Sequence, residues 1–200
     1  MKFSLTAILI AAYIFAFSQC FEAGGIGDFE GENALNQFVT GTQGNGNLEG
    51  TSEDKYSGNQ SLKATVSVAG VWQVRVYNTG TCYFDIFSGE SYTVSFYAKG
   101  EIGDAINVSI MNNTTVDQNE NIVIRSTNWE LYTATFEAGI NSSTGRIKLI
   151  FKDEGTYYVD DIQLNGLDCN GDSGGSASID NCGICSGGNT GITPINDCSF

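Results

Sequence analysis

The sequence predicts an all-β protein of antiparallel strands, either two packed sheets or a closed barrel. Three observations carry this. Apolar and polar residues alternate with a period of two through most of the stretch from Leu62 to Leu164. Turn signals precede and interrupt that stretch: Ser57-Gly58-Asn59 before it, then Thr79-Gly80, Ser88-Gly89, Lys99-Gly100, Thr144-Gly145 and Glu154-Gly155 within it. No segment sustains a 3.6-residue period. A period of two places successive side chains on opposite faces of a strand, so each run has one apolar face to bury.

The elements follow in order. Leu62, Ala64 and Val66 alternate with Lys63, Thr65 and Ser67. Trp72, Val74 and Val76 alternate with Gln73, Arg75 and Tyr77. Tyr92, Val94, Phe96 and Ala98 alternate with Thr93, Ser95, Tyr97 and Lys99. Ile106, Val108 and Ile110 alternate with Asn107, Ser109 and Met111. Tyr132, Ala134 and Phe136 form the next strand. Ile147, Leu149 and Phe151 alternate with Lys148 and Ile150, and Tyr158 to Leu164 closes the series. A polar stretch with little periodicity runs from Thr40 to Asn59. A single proline and 25 glycines suit many strands and tight turns.

Composition narrows the function. Histidine is absent, which removes Ser-His-Asp triads, histidine bases and histidine metal ligands. The 200 residues carry a formal charge of -14. A surface this acidic repels phosphate backbones, so nucleic acid is not an expected partner. It suits a neutral ligand or a cation such as Ca2+.

Residues 1–18 read as a signal peptide. Lys2 precedes an apolar core from Leu5 to Phe17, and Ala16 and Ser18 supply the small residues of a cleavage site before Gln19. Secretion is therefore expected, with no membrane insertion. Lipidation at Cys20 is an alternative that Gln19 suits poorly. Export places Cys20, Cys82, Cys169, Cys182, Cys185 and Cys198 in an oxidising compartment, where disulfides are expected. The domain of residues 19–165 gives way at Asn165-Gly166 to a tail, residues 166–200, rich in Cys, Gly and Asp and without Lys or Arg. Such a piece cannot build an apolar core; it must be held by cysteines, by metal or not at all, and export favours disulfides. Zinc on the four tail cysteines is the disfavoured alternative, and their pairing stays open among three connectivities.

Five motifs occur in order: Phe29-Glu30, Tyr56-Ser57-Gly58-Asn59-Gln60-Ser61-Leu62-Lys63, Gly89-Glu90-Ser91-Tyr92-Thr93-Val94, Trp129-Glu130-Leu131-Tyr132 and Tyr158-Val159-Asp160-Asp161-Ile162. Together they resemble carbohydrate-binding modules of the CenC type, the family 4/9/22-like group, over roughly residues 25–165. The resemblance implies a jelly-roll sandwich of the galactose-binding-like kind. It also implies that Glu30 and Asp161 join loop carbonyls in a structural Ca2+ site. The tail is similar to thrombospondin type 3-like linker repeats, which join binding modules to catalytic ones.

Adjacent strand residues point to opposite faces, so Asp160 and Asp161 are not expected to form the carboxylate pair of a glycosidase. Sugars bind on rings, with amides and guanidinium groups taking the hydroxyls. If Val74, Val76, Val94, Phe96, Val108 and Ile110 face the core, then Gln73, Arg75, Tyr77, Tyr97 and Asn107 share the outer face. Family position adds Trp72 to this ligand-binding set. Trp129 reads as structural, and Tyr83 and Tyr157 as binding-loop residues. The expected function is a secreted, non-catalytic module that binds polysaccharide and targets an attached or partner glycan-degrading enzyme, with a catalytic domain in a longer chain as a possible companion. A surface protein binding other proteins and a small glycosidase or lyase are the alternatives.

Overall fold

A computed structural model describes residues 19–21, 25–30, 34–69, 74–166, 178–179, 182, 184–187 and 190–195. The expected signal segment (residues 1–18), Trp72, Gln73, Cys169 and Cys198 lie outside the described residues. The strands are β1 (Phe38–Gly41), β2 (Gly46–Thr51), β3 (Ser61–Val66), β4 (Arg75–Asn78), β5 (Phe84–Ile86), β6 (Ser91–Lys99), β7 (Ala105–Met111), β8 (Val116–Val123), β9 (Glu130–Glu137), β10 (Ser142–Phe151) and β11 (Gly155–Gly166). In the tail, β12 (Ser178–Ile179) pairs antiparallel with β13 (Cys185–Ser186). Among the described residues the only helices are short 3-10 turns.

Two antiparallel sheets pack face to face as a jelly-roll sandwich. One runs β1-β4-β10-β7-β8, with β5 added alongside β10. The other runs β2-β3-β11-β6-β9. Their inner faces supply the core. Val74, Val94, Phe96, Val108, Ile110, Leu149 and Val159 are at most 1% exposed. Every described inward position assigned from the alternation is buried. Each large aliphatic or aromatic side chain so removed from water contributes about 1.5–3 kcal/mol.

Four strands carry no alternating signal and were not expected: β1, β2, β5 and β8. β2 and β8 lie at sheet edges. β8, Val-Asp-Gln-Asn-Glu-Asn-Ile-Val, buries only Ile122. A strand wetted on both faces needs no apolar row, and backbone pairing with β7 alone holds it in register.

The chain start is tied to this frame twice. Cys20 and Cys82 form a disulfide. Residues 26–30 then pack on β11, where Phe29 is fully buried and stacks on Phe38 with ring centroids 5.2 Å apart. Gly27 makes that approach possible. A Cβ built on it would stand 1.9 Å from the Ile162 carbonyl oxygen. In the tail, Cys182 is disulfide-bonded, which excludes it as a free zinc thiolate.

Two variants test these ties. Gly27→Ala forces backbone apart from backbone and should cost about 3 kcal/mol or more of stability in denaturant unfolding. Replacing both Cys20 and Cys82 by Ala should cost about 4 kcal/mol by the chain-entropy rule for a closed loop spanning 62 residues.

Candidate carbohydrate-binding face

The expected site residues divide between two sheets. Arg75 and Tyr77 on β4 and Asn107 on β7 point outward from the β1-β4-β10-β7-β8 sheet. Tyr97 points outward too, but from β6, on the opposite side of the sandwich. The single platform expected from alternation is therefore corrected. The chain crosses between sheets after β6, so equal parity on β6 and β7 means opposite outer faces.

The side of Tyr97 is already occupied. Residues 51–60, linking β2 to β3, fold back across it. Tyr56 stacks on Tyr97 with centroids 3.4 Å apart and planes 11° apart. Asp54 accepts a hydrogen bond from Trp129 Nε1 at 2.9 Å and pairs with Lys99. Lys99 in turn lies 5.7 Å from the Trp129 ring and 5.2 Å from that of Tyr158. These rings hold the strap and each other, consistent with a structural Trp129.

Asp160 anchors the strap. It is fully buried, and its Oδ2 accepts the main-chain N–H groups of Tyr56 at 3.0 Å and Ser57 at 3.1 Å, while Oδ1 accepts that of Asp161 at 2.9 Å. Burial, working against these donors, pushes its carboxyl up to about 6. Asp161 breaks the strand with φ 49° in a bulge between Asp160 and Gln163. The extra residue defeats the expected alternation, and both carboxylates reach the strap: Ser57 Oγ donates to Asp161 Oδ1 at 3.0 Å.

Glu30 meets the same strap. Its Oε1 accepts the N–H groups of Asn59 and Gln60 at 2.6 and 3.1 Å, and Oε2 accepts Asn59 Nδ2 at 3.0 Å. Gly58, with φ 54°, allows this; a side chain there would meet the Glu30 carboxylate. Burial works against ionised Glu30, but these donors hold its carboxyl below the usual range. Burial, then the charges of Asp161 and Glu30, push the neighbouring Asp28 carboxyl up. Among the described residues no three acidic or cysteine side chains gather as one metal-holding group. The all-oxygen set of Glu30 and Asp161 suits a hard cation that takes its other ligands from carbonyls or water.

The opposite outer face is open and mixed. One row across the strands reads Tyr77, Lys148, Ser109, Asn119, and the next reads Arg75, Ile150, Asn107, Asn121. At strand spacing each row from β4 to β8 spans about 14 Å. Asn107 Nδ2 donates to Asn119 Oδ1 at 3.1 Å and to Asn121 Oδ1 at 2.9 Å, and Ser109 Oγ donates to Asn107 Oδ1 at 3.0 Å. Beside these rows Arg146 lies between two rings, its guanidinium carbon 5.0 Å from the Tyr77 centroid and 4.9 Å from that of Tyr83. Its Nη2 donates to Tyr83 Oη at 2.6 Å, and Tyr83 Oη donates to Asn113 Oδ1 at 3.0 Å. Tyr83 thus belongs to this face. Tyr157 does not; it is fully buried against Phe151 in the core.

Sequence reasoning left out Arg146, Lys148, Asn119 and Asn121. Lys148 was within reach, because it alternates with buried Ile147 and Leu149. The two asparagines were not, because β8 shows no pattern. Two grooves of about 510 and 350 Å³ run along the β8–β9 seam, one lined by Glu120, Thr135 and Glu137 and the other by Arg125, Leu131 and Thr133. The rings that border them, Phe136 and Tyr132, are buried and offer no stacking surface.

Asp160→Ala should release the strap and cost about 3 kcal/mol, since three part-buried N–H groups lose a charged acceptor. Asp160→Asn, which keeps an acceptor oxygen, should lose less in the same melts.

The fold and this face can be set beside known proteins. Among solved structures, the arabinose-bound α-L-arabinofuranosidase MgGH51 superposes with a TM-score of 0.63 at 14% identity, covering 78% of this chain and 28% of that one. A CBM4 structure superposes at 0.50 with 18% identity, covering 70% of this chain and 97% of that one. The Stig cyclase Fisc from Fischerella sp. TAU, in complex with an indole compound, reaches 0.50 at 14% identity, covering 65% and 84%. At these identities the likeness is one of fold. This chain spans little more than a quarter of the arabinofuranosidase. No curated protein matches by sequence. Residues 26–156 match the carbohydrate-binding domain family of types 4 and 9, so the chain belongs to that family.

Proposed function

We propose that the open face of the β1-β4-β10-β7-β8 sheet binds a polysaccharide without cleaving it. One observation carries the reading. Tyr77 and Tyr83 stand beside rows of amide, hydroxyl and cationic groups, on a broad sheet face that no strap covers among the described residues. Rings take the C–H faces of sugars, and amides and cations take hydroxyls. Membership of the family supports polysaccharide as the ligand. No Asp or Glu holds an outward position on β4, β7 or β10, so the paired carboxylates of glycoside hydrolysis are missing from these central strands. Trp72 and Gln73 directly precede β4 in sequence and stay within the proposal. Secretion follows from the signal segment. Service to an attached or partner catalytic domain is the role proposed for such a module.

Affinity electrophoresis against a glycan panel tests the face. Tyr77→Ala should weaken binding by about thirtyfold, the loss of a stacking hot spot of roughly 2 kcal/mol. Tyr97→Ala, under its strap on the other side, should bind as the parent does. The reverse result would move the site to the other sheet.

We propose further that Glu30 and Asp161 hold a structural Ca2+ beside the strap. Asp28 feels the charges of both Asp161 and Glu30, and repulsion among nearby carboxylates favours a bound cation. EDTA should lower the melting point of the parent, and Glu30→Ala or Asp161→Ala should abolish that shift. A cation at a hundredfold excess over Kd would contribute about 2.7 kcal/mol. An EDTA-insensitive parent would remove calcium from the account.

A further inference from the structure

The molecule is strongly acidic, yet its charge is not evenly spread. Three of its nine basic residues, Arg75, Arg146 and Lys148, stand together on the open face. On the opposite side and at the seam, Lys63, Lys99 and Arg125 are each paired with carboxylates. No ion pair within 4 Å is found for Arg146 or Lys148 among the described residues. The central strands β4, β7 and β10 carry no Asp or Glu, and Asp85 stands exposed on β5, beyond Arg146 and away from the central rows.

Arg146 is the most telling of the three. It is only 9% exposed, and its Nε–H has no hydrogen-bond partner. A buried guanidinium is ordinarily paired with an anion, because the interior solvates its charge poorly. Here the two tyrosine rings stack on it and fix its plane, but neither neutralises it. Lys148 is adjacent. Burial and then the positive charge of Arg75 hold its ammonium below the ordinary value. Arg146 and Lys148, side by side on β10 with no carboxylate in ion-pair distance among the described residues, form a receptor for negative charge.

Resting on the reading of this face as a glycan-binding surface, we infer that its ligand is an anionic polysaccharide, whose carboxylate or sulfate groups meet Arg146 and Lys148 while its rings lie along Tyr77 and Tyr83. Planar, always-charged guanidinium groups suit such oxyanions. The net charge of the whole chain does not prevent it. At physiological salt, fields fade over about 8 Å, so Arg146 and Lys148 outweigh acids elsewhere.

The experiment compares matched polymers at 0.15 M salt on the full chain. Polygalacturonate is set against its methyl ester, and dextran sulfate against dextran. One anionic polymer should bind at least about tenfold more tightly than its uncharged partner, the worth of one charge-assisted hydrogen bond. The preferred pair tells carboxylate from sulfate. Lys148→Met should abolish the preference at an unchanged melting point, and 0.5 M salt should weaken the charged polymer alone. Equal or weaker binding of both anionic polymers overturns the inference. If neutral glycans then bind and Tyr77→Ala removes that binding, the face remains a glycan site. If no glycan binds, or Tyr77→Ala has no effect, the reading of the face fails as well.

Discussion

The buried carboxylate of Asp160 is the constraint on which the far side of the sandwich depends. It sits on β11, between β3 and β6 in the middle of its sheet, fully out of water. A carboxylate in that position must be given donors, and the main chain of residues 56, 57 and 161 supplies them. Those hydrogen bonds draw the strap across the sheet and stack Tyr56 on Tyr97. They also accompany the bulge at Asp161, where the Ile162 carbonyl lies against Gly27. The chain start, the strap and β11 therefore form one unit.

This unit determines which face is free. Covering one sheet with the strap consumes its aromatic residues in packing: Tyr56, Tyr97, Trp129 and Tyr158 satisfy one another and Lys99. Among the described residues the opposite sheet has no such strap over β4, β10 and β7. Its tyrosines instead flank a guanidinium, and its amides form a ladder across strands. The proposed binding face is thus chosen by exclusion as much as by composition. The same division separates charge, since the covered side pairs its cations and the open side gathers them.

That segregation changes what the acidic composition implies. A net charge of -14 points to a neutral ligand only if charge is spread uniformly. The fold breaks that uniformity by bringing β4 and β10 together, placing Arg75 near Lys148, 73 positions further along the chain. Over distances longer than the screening length, average charge governs solubility and approach. Within a binding face, the few nearest groups govern recognition.

Much of the fold was legible in the sequence, because burial on one strand face imposes a period of two. That rule located β3, β6, β7, β9, β10 and β11, and their inward residues. It could not find β2 or β8, since an edge strand wetted on both faces has no apolar row to keep. It put Arg75, Tyr77 and Asn107 on an outer face but could not say that Tyr97 belongs to a different one. Parity records whether a side chain points in or out, a local property of the chain. Which sheet a strand joins depends on pairings between segments far apart in sequence, and these exist only once the chain has crossed between the two layers. The bulge at Asp161 is of the same kind: the sequence alone determined that two carboxylates stand side by side, and tertiary packing against the strap turned both toward one loop.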